Sequence, residues 1–249
     1  MPADAAMKSG VQRGAITLSI VIPVYNEAAN FPALWRELNA HVKSPFAAYV
    51  VYDFDADSTV PVVREIIEQG DSRLRLVKNE RHGVVGAILT GFQQVERGPV
   101  IVIMADLSDD LSRIDAMREL YRQGYDIVVG SRYMRGGAIV DGPLLKQTLS
   151  RIGSVSLYWL RRIPTHDATN AFKLYDADML HSIRLQSRGG FELSLEITVK
   201  GFLAGYRIAE IPAVWRERTE GKSHFKLWSW LPHYLRWWFY AFRPKKGSH

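Results

Sequence analysis

Seven carboxylates fall in three short stretches, each following an apolar run: Glu27, then Asp53, Asp55 and Asp57, then Asp106, Asp109 and Asp110. Brought to one place they repel one another unless a cation or hydrogen-bond donors compensate. Hard divalent cations take oxygen ligands, so Mg²⁺ or Mn²⁺ is the matching partner. Asp109 and Asp110, just before Leu111, also read as helix caps. A second group is basic: Arg132, Arg135, Lys146, Arg151, Arg161 and Arg162. Guanidinium forks suit phosphate oxygens. His166 and Asp167 are the nearby residues that could serve as a base, and His166 also reads as an ordinary loop histidine.

The elements that must hold these residues alternate. Residues 18–22 form a β-rich run closed by Pro23, and 28–41 carry apolar side chains at helical spacing (Phe31, Leu34, Trp35, Leu38). Strands are predicted over 49–52, 74–77 and 100–104, with helices over 60–69 and 85–96. The run Val100-Ile101-Val102-Ile103-Met104 is apolar throughout, as expected of a strand buried on both faces. Strands alternating with helices of this length predict an α/β fold, a mixed but mostly parallel sheet flanked by helices. Ligands of such sheets bind beyond the carboxyl ends of the strands, where the three acidic stretches would meet.

The 249 residues are 47% hydrophobic and 23% charged, which excludes a disordered or low-complexity chain. With no cysteine, disulfide scaffolds, thiol nucleophiles and cysteine-bound metals are excluded. Residues 1–200 hold 23 basic and 23 acidic side chains, whereas the last 49 hold 9 and 3, so the net +6 lies in the tail. Residues 225–243 contain four of the seven tryptophans, interleaved with Lys226, Arg236 and Arg243, and Lys245 and Lys246 follow. That mixture predicts a peripheral helix at an anionic membrane surface, with an ordinary core helix packed on the sheet as the alternative. No window reaches the roughly 20 apolar residues of a spanning helix, and the first residues lack the apolar core of a leader. The expected division is a disordered segment 1–16, a catalytic domain 17–224 and an amphipathic interface segment 225–246.

Taken in order, the loops resemble the family 2 glycosyltransferases of the GT-A fold, particularly the dolichol-phosphate mannose synthase branch. The resemblance rests on Ser19-Ile20-Val21-Ile22-Pro23-Val24-Tyr25-Asn26-Glu27, on Gly83, Gly86, Ala87 and Gly91, and on Ser131-Arg132-Tyr133 with Gly136-Gly137. Asp167, Thr169, Phe172 and Glu196 follow, then residues 205–212, and then Arg218, Gly221 and Ser223. It implies that Pro23, Tyr25 and Glu27 hold the base and ribose of a nucleotide-sugar and that Asp53 reads the base. Ala105 and Asp106 would lie against the ribose and the metal-bound diphosphate, Asp106 with Ser108 as metal ligands. Arg218 and His224 would face the phosphates. Arg132, Arg151, Asp167 and Ser223 would serve the acceptor, and Asp106, Arg132, Asp167 and Arg218 the reaction itself.

Two positions depart from the family pattern. Met104 replaces the first Asp of the usual Asp-x-Asp metal motif, and methionine is a poor ligand for a hard cation. Phe54 replaces a glycine in the loop after the second strand. The resemblance implies an inverting transfer of a GDP- or UDP-linked sugar to a polyprenyl phosphate by a peripheral enzyme at the cytoplasmic membrane face. A required base at Asp167 would instead favour a glycan or glycolipid hydroxyl as acceptor, and Met104 raises a catalytically silent binding or scaffold protein. The expected partners are the nucleotide-sugar, the lipid phosphate and an anionic membrane surface, with no nucleic acid; a homo-oligomer stays open.

Overall fold

The computed structural model describes residues 13, 16–217 and 227–245. Strands β1 (Leu18–Val24), β2 (Phe46–Tyr52), β3 (Leu74–Lys78) and β4 (Pro99–Val102) alternate with helices α1 (Phe31–His41), α2 (Thr59–Glu68) and α3 (Gly83–Gln93). A short 3₁₀ turn (Leu111–Arg113) leads into α4 (Ile114–Arg122), β5 (Ile127–Ser131) and β6 (Ala138–Val140). The long α5 (Leu144–Arg161) follows, then β7 (Lys173–Asp176), α6 (Ala177–Ser182) and α7 (Glu192–Leu203). The chain continues through β8 (Ile208–Pro212), β9 (Val214–Arg216) and α8 (Leu227–Tyr240).

Seven strands form one sheet in the order β3-β2-β1-β4-β7-β5-β8, and β6 pairs with β9 apart from it. Strand β7 is antiparallel to both neighbours, and the remaining pairs are parallel. Every strand of this sheet but β7 therefore ends at one edge, and the segment entering β7 arrives at that same edge. Pro23 does not end the first strand as expected; it stays in register with Val51. Val21 O accepts from Ile103 N on the β4 side. Two residues on, position 23 faces that side past the end of β4, where a missing N–H costs no ladder bond.

Alternate residues of each strand enter two cores. Val21, Val51, Val102 and Val129 pack with α3, α7 and α8, whereas Ile22, Val50, Ile101 and Val128 pack with α1, α2 and α4. Burial on both faces explains why β4 reads as a continuous apolar run. Helix α3 lies directly on β1: a Cβ at Gly91 would come within 2.3 Å of Val21 Cγ1.

The two ends of the chain depart from expectation. Arg13, within the stretch expected to be disordered, pairs with Asp126 (2.6 Å) and Asp176 (3.1 Å). Trp237, expected at a membrane surface, is 1% exposed in the core, and its indole donates to Ser187 Oγ (3.0 Å). Trp238 donates to Ser156 Oγ on α5 (2.9 Å). Packing α8 against α5 and α7 claims these rings because large aromatic area gains most from burial. The side chains of Trp228 and Trp230 lie outside the described residues, as do Lys226 and Lys246.

Candidate active site

The edge shared by the parallel strands gathers the predicted loops, but most of their carboxylates are already engaged. Asp57 is buried and accepts from the backbone N–H of Asn26 (3.0 Å) and Thr59 (2.8 Å), locking the loop after β1 to the start of α2. Glu27 Oε2 accepts from Asn30 (2.7 Å), and Asp55 pairs with Lys78 at the surface. Asp53 Oδ1 accepts from Asn79 Nδ2 (2.6 Å) and Oδ2 from Gly83 N (2.7 Å), joining β2 to the first turn of α3. Phe54, which replaces the family's glycine, meets the exposed Tyr25 edge to face at 5.4 Å. This pair builds an aromatic wall beside Asp53.

The third loop closes on itself. Met104 N donates to Asp109 Oδ2 (3.0 Å), and Ser108 N donates to Asp106 Oδ1 (3.2 Å). Burial pushes the Asp109 carboxyl up to about 7 against the pull of the Met104 N–H, and the charges of Asp106 and Asp110 add to the rise. Asp110 accepts from Ser112 Oγ (2.5 Å) and Val214 N (3.2 Å). Ala105 and Ser108 are buried, and Ser108 O accepts from Arg216 N (3.1 Å).

Of the two ways expected to offset the repulsion of seven carboxylates, hydrogen-bond donors account for Asp53, Asp57, Asp109 and Asp110. No three His, Cys, Asp or Glu side chains among the described residues are grouped to hold a metal. The resemblance puts Asp106 and Ser108 on the cation; Asp106 Oδ1 already accepts from Ser108 N, and the Ser108 side chain is largely withdrawn from the surface. The protein atoms described do not form a complete ion site.

Further along the same edge, beyond β4, Asp167 is 0% exposed and holds Arg132 through both oxygens. Arg132 Nε donates to Oδ2 (2.6 Å), Nη2 to Oδ1 (2.8 Å), and the Arg132 backbone N–H to Oδ2 (3.0 Å). Burial alone would lower the guanidinium's pKa, but the charge and hydrogen bonds of Asp167 raise it above the ordinary arginine value. Arg132 Nη1 makes no hydrogen bond among the described residues. The fork therefore has one edge fixed and one nitrogen available.

Both oxygens of Asp167 are thus engaged with Arg132. His166 is also engaged: its Nδ1 lies 2.5 Å from Glu210 Oε1, its backbone N–H donates to Oε2 (2.8 Å), and its ring stacks on Tyr158. Arg151 is exposed on α5, next to the exposed Ile152. Arg218, Ser223 and His224 lie outside the described residues.

Sequence reasoning missed Lys173. It is 0% exposed, and its Nζ donates to Ala168 O (2.7 Å), Ser194 Oγ (2.7 Å) and Thr198 Oγ1 (2.8 Å). Ser194 Oγ in turn donates to Asn170 O, and Asn170 Nδ2 to Gly130 O (2.6 Å). This network fastens the segment between Asp167 and β7 to α7 and β5. Burial pulls the Lys173 ammonium down to about 7, and Arg132 adds to the fall. A lysine in an apolar run was the only sign of it in the sequence.

A family model for glycosyl transferase family 2 matches residues 19–184. The chain belongs to that family. Among curated relatives of this family 2 chain, a dolichol-phosphate mannosyltransferase of Pyrococcus furiosus is 26% identical over 88% of the chain, which spans only 63% of that relative's length. A polyprenol monophosphomannose synthase of Mycolicibacterium smegmatis is 27% identical, with 82% of this chain and 79% of the relative covered. An undecaprenyl-phosphate mannosyltransferase of Micrococcus luteus is 30% identical, with 82% and 85% covered. The fold is similar to that of glucosyl-3-phosphoglycerate synthase from Mycobacterium tuberculosis bound to UDP, with a TM-score of 0.65 at 15% identity over 90% of this chain and 79% of that one. The same enzyme with Mn²⁺ and UDP gives a TM-score of 0.63 at 16% identity, with the same coverage. The mixed sheet flanked by helices is thus the GT-A arrangement of the family 2 glycosyltransferases.

Proposed function

We propose that this family 2 glycosyltransferase moves a sugar from a GDP- or UDP-linked donor to a polyprenyl phosphate. The observation that carries the reading is the Arg132–Asp167 pair. The acid nearest the expected acceptor position is engaged with a guanidinium, so this pair offers a cation and not a free carboxylate base. A hydroxyl acceptor needs a base, whereas a lipid phosphate is already an anion and needs positioning. A phosphate oxygen attacks the anomeric carbon as the bond to the nucleoside diphosphate breaks, with inversion and no net proton transfer. The curated relatives' names point to the same acceptor class.

The donor side is read onto Pro23, Tyr25, Glu27, Asp53 and Ala105, with Arg218 and His224 on the phosphates. A divalent cation, when bound with the donor, neutralises diphosphate charge; Asp106 is the carboxylate this chain offers it. No helix among the described residues is long and apolar enough to cross a membrane. Helix α5 nevertheless exposes Leu145, Ile152 and Trp159, spaced seven apart on one stripe, α8 exposes Leu235 and Phe239, and Phe242 just beyond α8 is exposed too. Arg151, Arg161 and Arg162 accompany the α5 stripe. These features support peripheral attachment to an anionic membrane, and the cytoplasmic face is part of the same proposal.

The test is a panel of UDP- and GDP-sugars offered with a short polyprenyl phosphate, the matching polyprenol and a glycan acceptor, read by mass spectrometry. Product is expected only with the phosphorylated lipid. Transfer to the polyprenol or glycan, with none to the phosphate, overturns the reading.

A further inference from the structure

A cavity of about 660 Å³ lies between the first turn of α3, residues 184–192 and α8. Arg81, Arg184, Arg188 and Arg236 stand around it, all exposed. No carboxylate of the described residues forms an ion pair with any of the four. Glu192, the acid on its wall, has its two oxygens turned to the backbone N–H of Gly189 (2.9 Å) and Gly190 (2.6 Å). Four uncompensated guanidinium groups around one space repel each other and favour an anion between them. Val85, Leu89, Leu185 and Trp237 give its lining an apolar share.

A second cavity, of about 380 Å³, shares Gln186 and Arg236 with the first and extends along α8 to Phe239 and Arg243. Phe239 is 64% exposed and belongs to the apolar outer side of α8. The two spaces thus lead from an apolar surface to an arginine-ringed chamber. Neither is lined by Asp53, Asp106 or Arg132.

We infer that the two cavities together bind a phosphorylated lipid, its phosphate among Arg81, Arg184, Arg188 and Arg236 and its hydrocarbon stem running out past Phe239. The inference rests on the lipid-phosphate reading above and adds a place for that lipid on this chain. Arg132 lines neither cavity, so the chamber is a docking site distinct from that residue.

Calorimetry on the full chain with farnesyl phosphate, farnesol and inorganic phosphate tests it. Farnesyl phosphate is expected to bind, and the double variant Arg184→Glu/Arg188→Glu to weaken it at least about tenfold with an unchanged melting temperature, because both side chains are exposed. Phe239→Ser is expected to weaken farnesyl phosphate several-fold and leave inorganic phosphate unaffected. Equal affinity of wild type and double variant overturns the site. Inorganic phosphate binding as tightly as the lipid, with Phe239→Ser silent, makes it a free-anion site and overturns the lipid assignment. Sugar transfer to the same lipid separates the two readings. Transfer by wild type with an unchanged KM in the double variant sinks this inference alone, whereas lipid binding without transfer sinks the proposed reaction alone.

Discussion

The backbone N–H of Met104 donates to Asp109 Oδ2 at 3.0 Å, closing the loop that carries Asp106. The bond draws a carboxyl inward, and burial pushes it up to about 7 from an ordinary 3.8. Between those values the folded protein holds a proton that the unfolded chain has released, so stability falls as pH rises through this window and the contribution is gone above about 7. Asp109→Asn keeps the acceptor without the charge. Its melting temperature is expected to match wild type near pH 4 and exceed it by several degrees at pH 8. Parallel melting curves across that range would remove the buried-acid assignment.

Met104 also leaves Asp106 as the only carboxylate of the usual motif. Met104→Asp is expected to tighten Mn²⁺ binding in the absence of nucleotide by at least about tenfold in calorimetry, since a second hard ligand joins the first. Equally tight binding by the wild type would mean that other residues hold the ion.

Removing Arg132 leaves Asp167 buried and unpaired. Arg132→Met is expected to cost about 3–5 kcal/mol in urea unfolding. Arg132→Lys keeps a charge but loses the fork; it is expected to fold with a smaller loss and to raise KM for the lipid phosphate more than it lowers kcat. An unchanged KM with that variant would take Arg132 out of acceptor binding.

Lys173 gives the opposite pH dependence to Asp109. Burial lowers it to about 7 from 10.5, so between those values the unfolded chain holds a proton that the folded protein lacks. Stability contributed by this group rises with pH through that window, and the buried charge is carried at its full desolvation cost below about 7. Relative to Lys173→Met, wild type is expected to gain stability from pH 6 to pH 9 in urea titrations. The variant should also slow transfer, because Ala168 O loses the donor that fastens the Asp167 segment. A pH-independent difference between the two proteins would contradict the buried-ammonium account.

On α8 two aromatic residues two positions apart should behave differently. Trp237→Ala is expected to destabilise the fold by about 3–5 kcal/mol, because the ring is in the core. Phe239→Ala should change stability by less than about 0.5 kcal/mol yet weaken flotation on anionic liposomes. Salt should weaken flotation of the wild type as well. Equal flotation of Phe239→Ala and wild type would leave α8 without a membrane role.

The alternation of apolar runs and helical spacing was enough to predict the α/β sheet and to bring the three acidic loops to one edge, because period and burial are written locally. The loop motifs likewise carried the family, which spans residues 19–184. Local pattern could not say which carboxylates would be free. Asp57, Asp109 and Asp167 look alike in the sequence, and each is claimed by a different partner: Asn26, Met104 and Arg132. Nor could it separate Trp237 from Phe239, since helix α8 buries one face against α5 and α7 only once those helices are in place. Lys173 and the arginine-ringed cavity are tertiary in the same sense. Their parts are scattered from Arg81 to Arg236, and long-range packing alone decides which charges meet a partner and which remain open to a ligand.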